Sequence, residues 1–186
     1  MNRFKVGYLI GSLSSSSINR LLARALVRLA PTELELTEIS IRELPLYNRD
    51  QDNDYPAVAR AFKDAVAAVD AVLFVTPEYN RSVPGVLKNA IDIASRPYGK
   101  SAWSGKPAAV MSVSPGAIGG FGANHHLRQS LVFLNMPALT QPEAYVGGAG
   151  DMFDEGGGFK KPDTKQFVEK FMTAFAAWIE RNPKPA

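Results

Sequence analysis

Three short apolar runs, each closed by a loop of small or turn-forming residues, constrain this chain more than any other feature. They are Phe4–Ile10 (FKVGYLI), Ala71–Val75 (AVLFV) and Lys106–Val113 (KPAAVMSV). Runs of this length bounded by turn signals read as strands buried on both faces of a sheet. Between and after them the apolar period changes to that of a helix. Leu21, Leu22, Ala25, Leu26 and Leu29 recur on one side of a stretch whose other side carries Arg20, Arg24 and Arg28, and Pro31 stops it. Val58, Ala61, Phe62, Ala65, Val66 and Val69 repeat the pattern. A third helix is expected from about Pro84, a residue suited to a first turn, to Ser95, and a fourth from Asn124 to Leu134. The last runs from Asp163 to Arg181, where Phe167, Phe171, Phe175 and Trp178 form a stripe for core or subunit packing.

Three weaker segments complete the order. Leu34–Ile39 alternates apolar and polar residues, as a strand nearer a sheet edge does, and Ala138–Gln141 reads as a brief extended piece. Glu43–Pro56 is a long polar connection, and the glycine-rich stretch 147–161 a mobile surface loop. Strands alternating with helices require a parallel sheet covered on both faces. No internal repeat or linker divides the chain, so one α/β domain is expected over 1–186.

Composition removes whole classes of chemistry. The chain has no cysteine, which excludes disulfides, thiolate nucleophiles, Cys-ligated zinc and iron–sulfur clusters. Its two histidines, His125 and His126, are adjacent and point about 100° apart on a helix, so they cap or pack rather than chelate, and no metal site is expected. Asp151, Asp154 and Glu155 lack EF-hand spacing. The net charge of +3 comes from scattered Lys and Arg, which does not indicate nucleic acid. There is no G-x-S-x-G elbow, no signal-peptide h-region and no apolar run long enough to span a bilayer. The expectation is a soluble, cytoplasmic protein without a membrane partner.

In parallel sheets of this kind ligands sit beyond the carboxyl ends of the strands, where strand order reverses. Segments 11–19, 76–83 and 114–122 each follow a buried strand, so one sheet edge carries all three. The first, GSLSSSSIN, puts a glycine and five serines before a helix. Free amides and hydroxyls at a helix N-terminus make a phosphate site, although Ser16 or Ser17 also suits a plain N-cap. It matches neither the G-x-G-x-x-G nor the P-loop pattern. In the second, Pro77 fixes the entry and Asn80 favours a turn, leaving backbone N–H groups to read a planar heterocycle on which Tyr79 packs. A turn with Glu78 in an ion pair is the alternative. In the third, glycines permit close approach to a ligand or a tight strand-to-helix turn.

At this point the residues resemble a known family. Gly-Ser-Leu-x-x-x-Ser-x-Asn (11–19), Thr-Pro-Glu-Tyr-Asn-x-Ser-Val-Pro-Gly-x-Leu-Lys-Asn-Ala-Ile-Asp (76–92) and Gly-Ala-Ile-Gly-Gly (116–120) are similar, in that order and spacing, to the NAD(P)H-dependent FMN reductases. These are the flavodoxin-like group of chromate, quinone and azo reductases. The resemblance runs from Phe4 to about Gly147. It implies a flavodoxin-like doubly wound sheet of five parallel strands in order 2-1-3-4-5 with FMN at the carboxyl edge. The phosphate-loop positions fall on Ser12, Ser14, Ser17, Ile18 and Asn19, the ring-binding positions on Pro77, Glu78, Tyr79 and Asn80, and those over the other side of the ring on Ser114, Gly116 and Ala117. The flavin N5 then carries the chemistry, and no side chain is needed as a catalytic acid. NAD(P)H is the implied donor, and a quinone, free flavin, azo compound or metal oxyanion such as chromate the acceptor. Members are dimeric or tetrameric, with helices near 84–95 and 124–134 at subunit contacts and residues around Trp103 completing a neighbour's site.

Two positions depart from the family pattern. Members commonly carry Gly-Ser-Leu-Arg at the first loop, the arginine facing the phosphate, whereas this chain has Ser14. A lost charge-assisted contact is worth roughly 1.5–3 kcal/mol, so Ser14→Arg is expected to tighten FMN binding unless the serines or Arg20 compensate. Arg81 stands where many relatives have Tyr, at the mouth of the expected site. The rival class is a flavodoxin-like electron carrier without its own turnover. Such carriers tend to be acidic, which this chain is not.

Overall fold

The computed structural model describes residues 3–184. Its sheet has five parallel strands in order β2-β1-β3-β4-β5. These are β1 (Phe4–Ile10), β2 (Leu34–Glu38), β3 (Ala71–Thr76), β4 (Ala108–Val113) and β5 (Ala144–Val146). The helices are α1 (Ile18–Leu29), α2 (Ala57–Ala68), α3 (Gly85–Ser95), α4 (Phe121–Phe133) and α5 (Pro162–Arg181). None of the helices among the described residues is long and apolar enough to cross a membrane.

Every residue of β3 and β4 is buried, which is why these strands read as continuous apolar runs. Alternate side chains serve opposite layers. Val72, Phe74, Ala108 and Val110 face α2, α3 and α4 through Phe62, Val66, Leu87, Ile91 and Leu127. Leu73, Val75, Ala109 and Met111 face α1 and α5 through Leu22, Leu26, Val168, Phe171 and Phe175. Removing Phe171 and Phe175 from water stabilises the fold by roughly 1.5–3 kcal/mol each. The aromatic stripe of the last helix is thus core packing, and at its end Trp178 Nε1 donates to the Pro137 carbonyl at 2.8 Å.

Four expectations need correction. The extended piece expected at 138–141 is not a strand of the sheet. Ala138 makes only a single bridge to Ala108, and the ladder beside β4 is formed by Ala144–Val146 in register Met111↔Ala144. The Trp103 side chain itself is not available to a neighbour's site. It is fully buried between Phe62 and Phe74 (ring centroids 6.3 and 5.9 Å away), and its Nε1 donates to the Ile91 carbonyl at 2.9 Å. The fourth helix starts at Phe121, three residues early, because Gly120 takes the left-handed conformation (φ 78°) at its N-cap. Pro84 stands at the N-cap of α3, one position outside the helix.

The connection 43–56 is less polar in its packing than in its composition. Tyr55 is buried with its hydroxyl donating to the Ile93 carbonyl at 3.1 Å, and burial pushes that phenol up to about 12. Asn89 of α3 clamps the same connection, accepting from the Tyr47 N–H at 2.8 Å and donating to the Pro45 carbonyl at 2.9 Å. In the 147–161 stretch, Phe153 bridges Phe159, and the Asp154 carboxylate accepts from the Gly158 N–H at 2.8 Å.

Candidate active site at the carboxyl edge of the sheet

Because all five strands run the same way, the loops after β1, β3 and β4 emerge together, and β1 and β3 flank the point where strand order reverses. The first two loops touch. A Cβ on Gly11 would lie 2.9 Å from Thr76 Oγ1 and 3.3 Å from Pro77 Cδ, so only glycine lets them approach this closely.

In the first loop Ser12 and Ser17 are buried while Ser14, Ser15 and Ser16 are exposed. Ser17 is the N-cap of α1, its Oγ accepting from the Asn19 N–H at 3.2 Å, so the capping role is real. It does not exhaust the loop. The N–H groups of residues 12–16 and of Ile18 bond to nothing among the described residues. Asn19, 4% exposed, has a buried Oδ1 without a partner. Free amides at the positive end of a 12-residue helix, among hydroxyls, have the chemistry of a phosphate cradle. Arg20 takes no part in it, since its guanidinium pairs with Glu38 at 3.1 Å.

The second loop is a hairpin turn. The Tyr79 N–H donates to the Ser82 carbonyl at 3.1 Å and the Ser82 N–H to the Tyr79 carbonyl at 3.0 Å. Asn80 and Arg81 between them both have positive φ, 51° and 63°, the pattern of a type I′ turn. The Tyr79 N–H is therefore spent within the turn and cannot read a ring. The N–H groups of Glu78 and Asn80 carry no such bond, and the Tyr79 side chain is 53% exposed. Glu78 is tied down on both oxygens, one accepting from Arg81 at 3.0 Å and the other from the Ala123 N–H of α4 at 3.1 Å. The ion-pair alternative for Glu78 and the turn role for Asn80 are thus both present. Arg81, its side chain 75% exposed, stays at the rim.

The third loop is built against the segment after β5. Gly116 accepts from the Gly148 N–H at 3.2 Å, and the Ser114 carbonyl accepts from the Ala149 N–H at 3.1 Å. Ser114 Oγ accepts from the Gly116 N–H at 3.1 Å. The Ala117 N–H is unbonded among the described residues, and a Cβ on Gly116 would meet only Ser114 Oγ at 3.5 Å, so this backbone faces open space.

Beside it, His125 Nε2 lies 2.8 Å from the Tyr145 hydroxyl, and the two rings stack with Phe121 against them. Burial, then the Glu143 carboxylate, pushes the Tyr145 phenol up to about 12, so it stays protonated across the physiological range. His126 Nδ1 lies 3.0 Å from Ser82 Oγ. His125 thus packs against two aromatic rings, while exposed His126 makes a single side-chain bond, and no group of metal-ligating side chains occurs among the described residues.

Three supporting residues gave no sequence signal. Asn124, fully buried, donates to Ser112 Oγ at 3.3 Å and to the Ala144 carbonyl at 3.2 Å, tying α4 to β4 and β5. Arg128 donates to Asn124 Oδ1 at 2.9 Å and to the Leu139 carbonyl at 2.8 Å. Arg42, beyond β2, donates to the Leu13 carbonyl of the first loop at 2.8 Å. Apart from the Arg128–Asn124 pair, four residues apart on α4, these contacts join different elements that only the fold brings together.

Comparison with known proteins supplies the rest. Residues 4–151 match the family model for NADPH-dependent FMN reductase. A quinone reductase from Pseudomonas putida is 56% identical over 180 residues, covering 96% of each chain. A 2-hydroxy-1,4-benzoquinone reductase from Burkholderia sp is 46% identical, over 94% of this chain and 96% of that one. Among solved structures, the flavoenzyme NAD(P)H:(acceptor) oxidoreductase FerB from Paracoccus denitrificans superimposes with a TM-score of 0.92 at 40% identity, over 97% and 99% of the two chains. A Pseudomonas aeruginosa flavodoxin shares the fold at 19% identity and a TM-score of 0.57. The chain belongs to the NADPH-dependent FMN reductase family, a group of flavoprotein oxidoreductases on a flavodoxin-like scaffold.

Proposed function

We propose that this enzyme uses NAD(P)H to reduce quinones through FMN held by the three loops. The observation that carries the proposal is the row of unbonded N–H groups at residues 12–16 and 18, gathered at the N-terminus of α1. Bound FMN supplies the capacity to accept two electrons from a nicotinamide and pass them to an acceptor. The remaining work belongs to the chain.

Ser12, Ser14, Ser17, Ile18 and Asn19 hold the phosphate with hydroxyls, amides and the positive end of the helix. Pro77 and Tyr79 border the ring. The free N–H groups of Glu78, Asn80 and Ala117 face its polar edge, with Ser114 and Gly116 shaping the opposite side, and oriented amides there stabilise negative charge as an oxyanion hole does. The Tyr79 N–H is not among them. The Glu78 carboxylate serves as a strut, with both oxygens engaged by Arg81 and the Ala123 N–H.

Quinones are the acceptor class favoured by the names of the 56% and 46% identical relatives. Azo compounds, free flavin and chromate are the further acceptors to test. An enzyme of this kind works in the cytoplasm, where reduced nicotinamides are supplied. A second copy of the chain covers the exposed apolar end of α4, where Val132 and Phe133 are 79% and 82% exposed and Phe133 lines a cleft with Tyr98. The experiment is steady-state oxidation of NADH and NADPH by the FMN-loaded enzyme with benzoquinone, an azo dye, free FMN and chromate in parallel. The quinone is expected to give the highest kcat/KM, and a higher value for any other acceptor would reassign the substrate.

A further inference from the structure

We propose that Arg42 supplies the cationic contact to the flavin phosphate that Ser14 cannot, so that the charge enters the phosphate loop from the strand beside it. The inference rests on the FMN-binding function argued above and concerns how this chain performs it.

The first loop, residues 11–19, carries no Lys or Arg and offers only hydroxyls and amides in its own sequence. The nearby cations are largely committed elsewhere. Arg20 is held by Glu38 at 3.1 Å, Arg28 donates to the Gly157 carbonyl, and Arg24 lies more than a turn into α1 on its exposed face. Arg42 is different. Among the described residues it is the one Lys or Arg whose side chain bonds to the loop, its Nη2 donating to the Leu13 carbonyl at 2.8 Å. Its position has a structural cause. β2 is the neighbour of β1 in a parallel sheet, so the chain leaving β2 emerges beside the loop leaving β1. Buried Ile39 and Ile41 anchor that exit and leave Arg42 exposed as the next residue.

A planar guanidinium has five N–H donors in a fixed fork, so one bond to Leu13 leaves others for a second acceptor at the same place. The group that fits is a phosphate dianion seated on the amides of Ser12–Ser16, because it brings negative charge to a cation that pairs with no carboxylate among the described residues. The carbonyl bond fixes the head next to the loop before the ligand arrives, which reduces the entropy cost of recruiting a long side chain.

The test compares FMN with riboflavin, which has the same ring and no phosphate, by fluorescence-quenching titration of the apoprotein. Wild-type protein is expected to bind FMN well and riboflavin weakly. Arg42→Gln is expected to weaken FMN about tenfold, a typical loss for one charge-assisted bond, with riboflavin unchanged. The salt dependence of FMN binding falls with it. Arg42→Lys keeps most of the affinity, and Arg42→Gln combined with Ser14→Arg regains it. The assignment is overturned if Arg42→Gln weakens both flavins equally, which would make Arg42 a loop brace only, or weakens neither, or if the double variant stays weak. Failure of the underlying function looks different: wild-type protein itself would then quench neither flavin.

Discussion

Glu78 and Ala123 are joined across 45 residues by a 3.1 Å hydrogen bond from the Ala123 N–H to Glu78 Oε2. An acidic side chain from the loop after β3 thereby caps the first turn of α4, where an anion is favoured by the free amides and the helix dipole. The pair locks the second loop to the helix that carries the far end of the third, so the two sides of the candidate flavin cleft keep a fixed spacing. Replacing Glu78 with Ala should destabilise the apoprotein by about 1–2 kcal/mol, the usual cost of a lost cap. Thermal melting without FMN measures it, and Glu78→Gln should lose less because one amide oxygen still accepts.

The third loop depends on Gly147. A Cβ there would lie 2.2 Å from the Ala117 carbonyl oxygen and 3.1 Å from that of Gly116, both backbone atoms that cannot rotate away. Gly147→Ala should therefore displace segment 116–117, weaken FMN binding and cost about 1–3 kcal/mol in stability. Flavin titration together with melting checks both effects.

At the opposite edge of the sheet, Lys106 is nearly buried, and its Nζ donates to the carbonyls of Ala67 and Val69 at 3.1 and 2.7 Å. Burial, with the Lys184 charge adding to it, lowers its pKa to about 8. Between that value and the ordinary lysine value of 10.5 the unfolded chain holds a proton that the folded chain has released. Stability contributed by this group therefore rises with pH across the window. Denaturant melts of wild type and Lys106→Met from pH 8 to 10.5 should show wild type gaining relative to the variant as pH increases.

Phe133, 82% exposed at the end of α4, should be an assembly residue. Phe133→Asp is expected to shift the protein from oligomer to monomer in sedimentation equilibrium.

The sequence made the strands legible wherever burial leaves a long apolar run, as in β3 and β4, while their order in the sheet followed from the family resemblance of the loops. It failed at β5, where three residues between Pro142-Glu143 and Gly147-Gly148 are too few to show a period. It also failed at Trp103, set among Ser, Gly and Lys in sequence yet fully buried, because the strands and helices that enclose it are distant along the chain. The loops of the candidate site were visible as small-residue punctuation after buried strands. The bonds that brace them were not. Arg42 to Leu13 and Glu78 to Ala123 exist only once parallel strands bring their ends together, and the turn bond that consumes the Tyr79 N–H follows from positive φ at Asn80 and Arg81.

The central claim is tested most directly by anaerobic reduction of the FMN-loaded protein. Addition of NADH or NADPH should bleach the visible flavin absorbance rapidly without any partner protein, and subsequent addition of benzoquinone should restore it in equal amount. Bleaching by neither nicotinamide, or a bleached flavin that the quinone fails to reoxidise, would contradict the account.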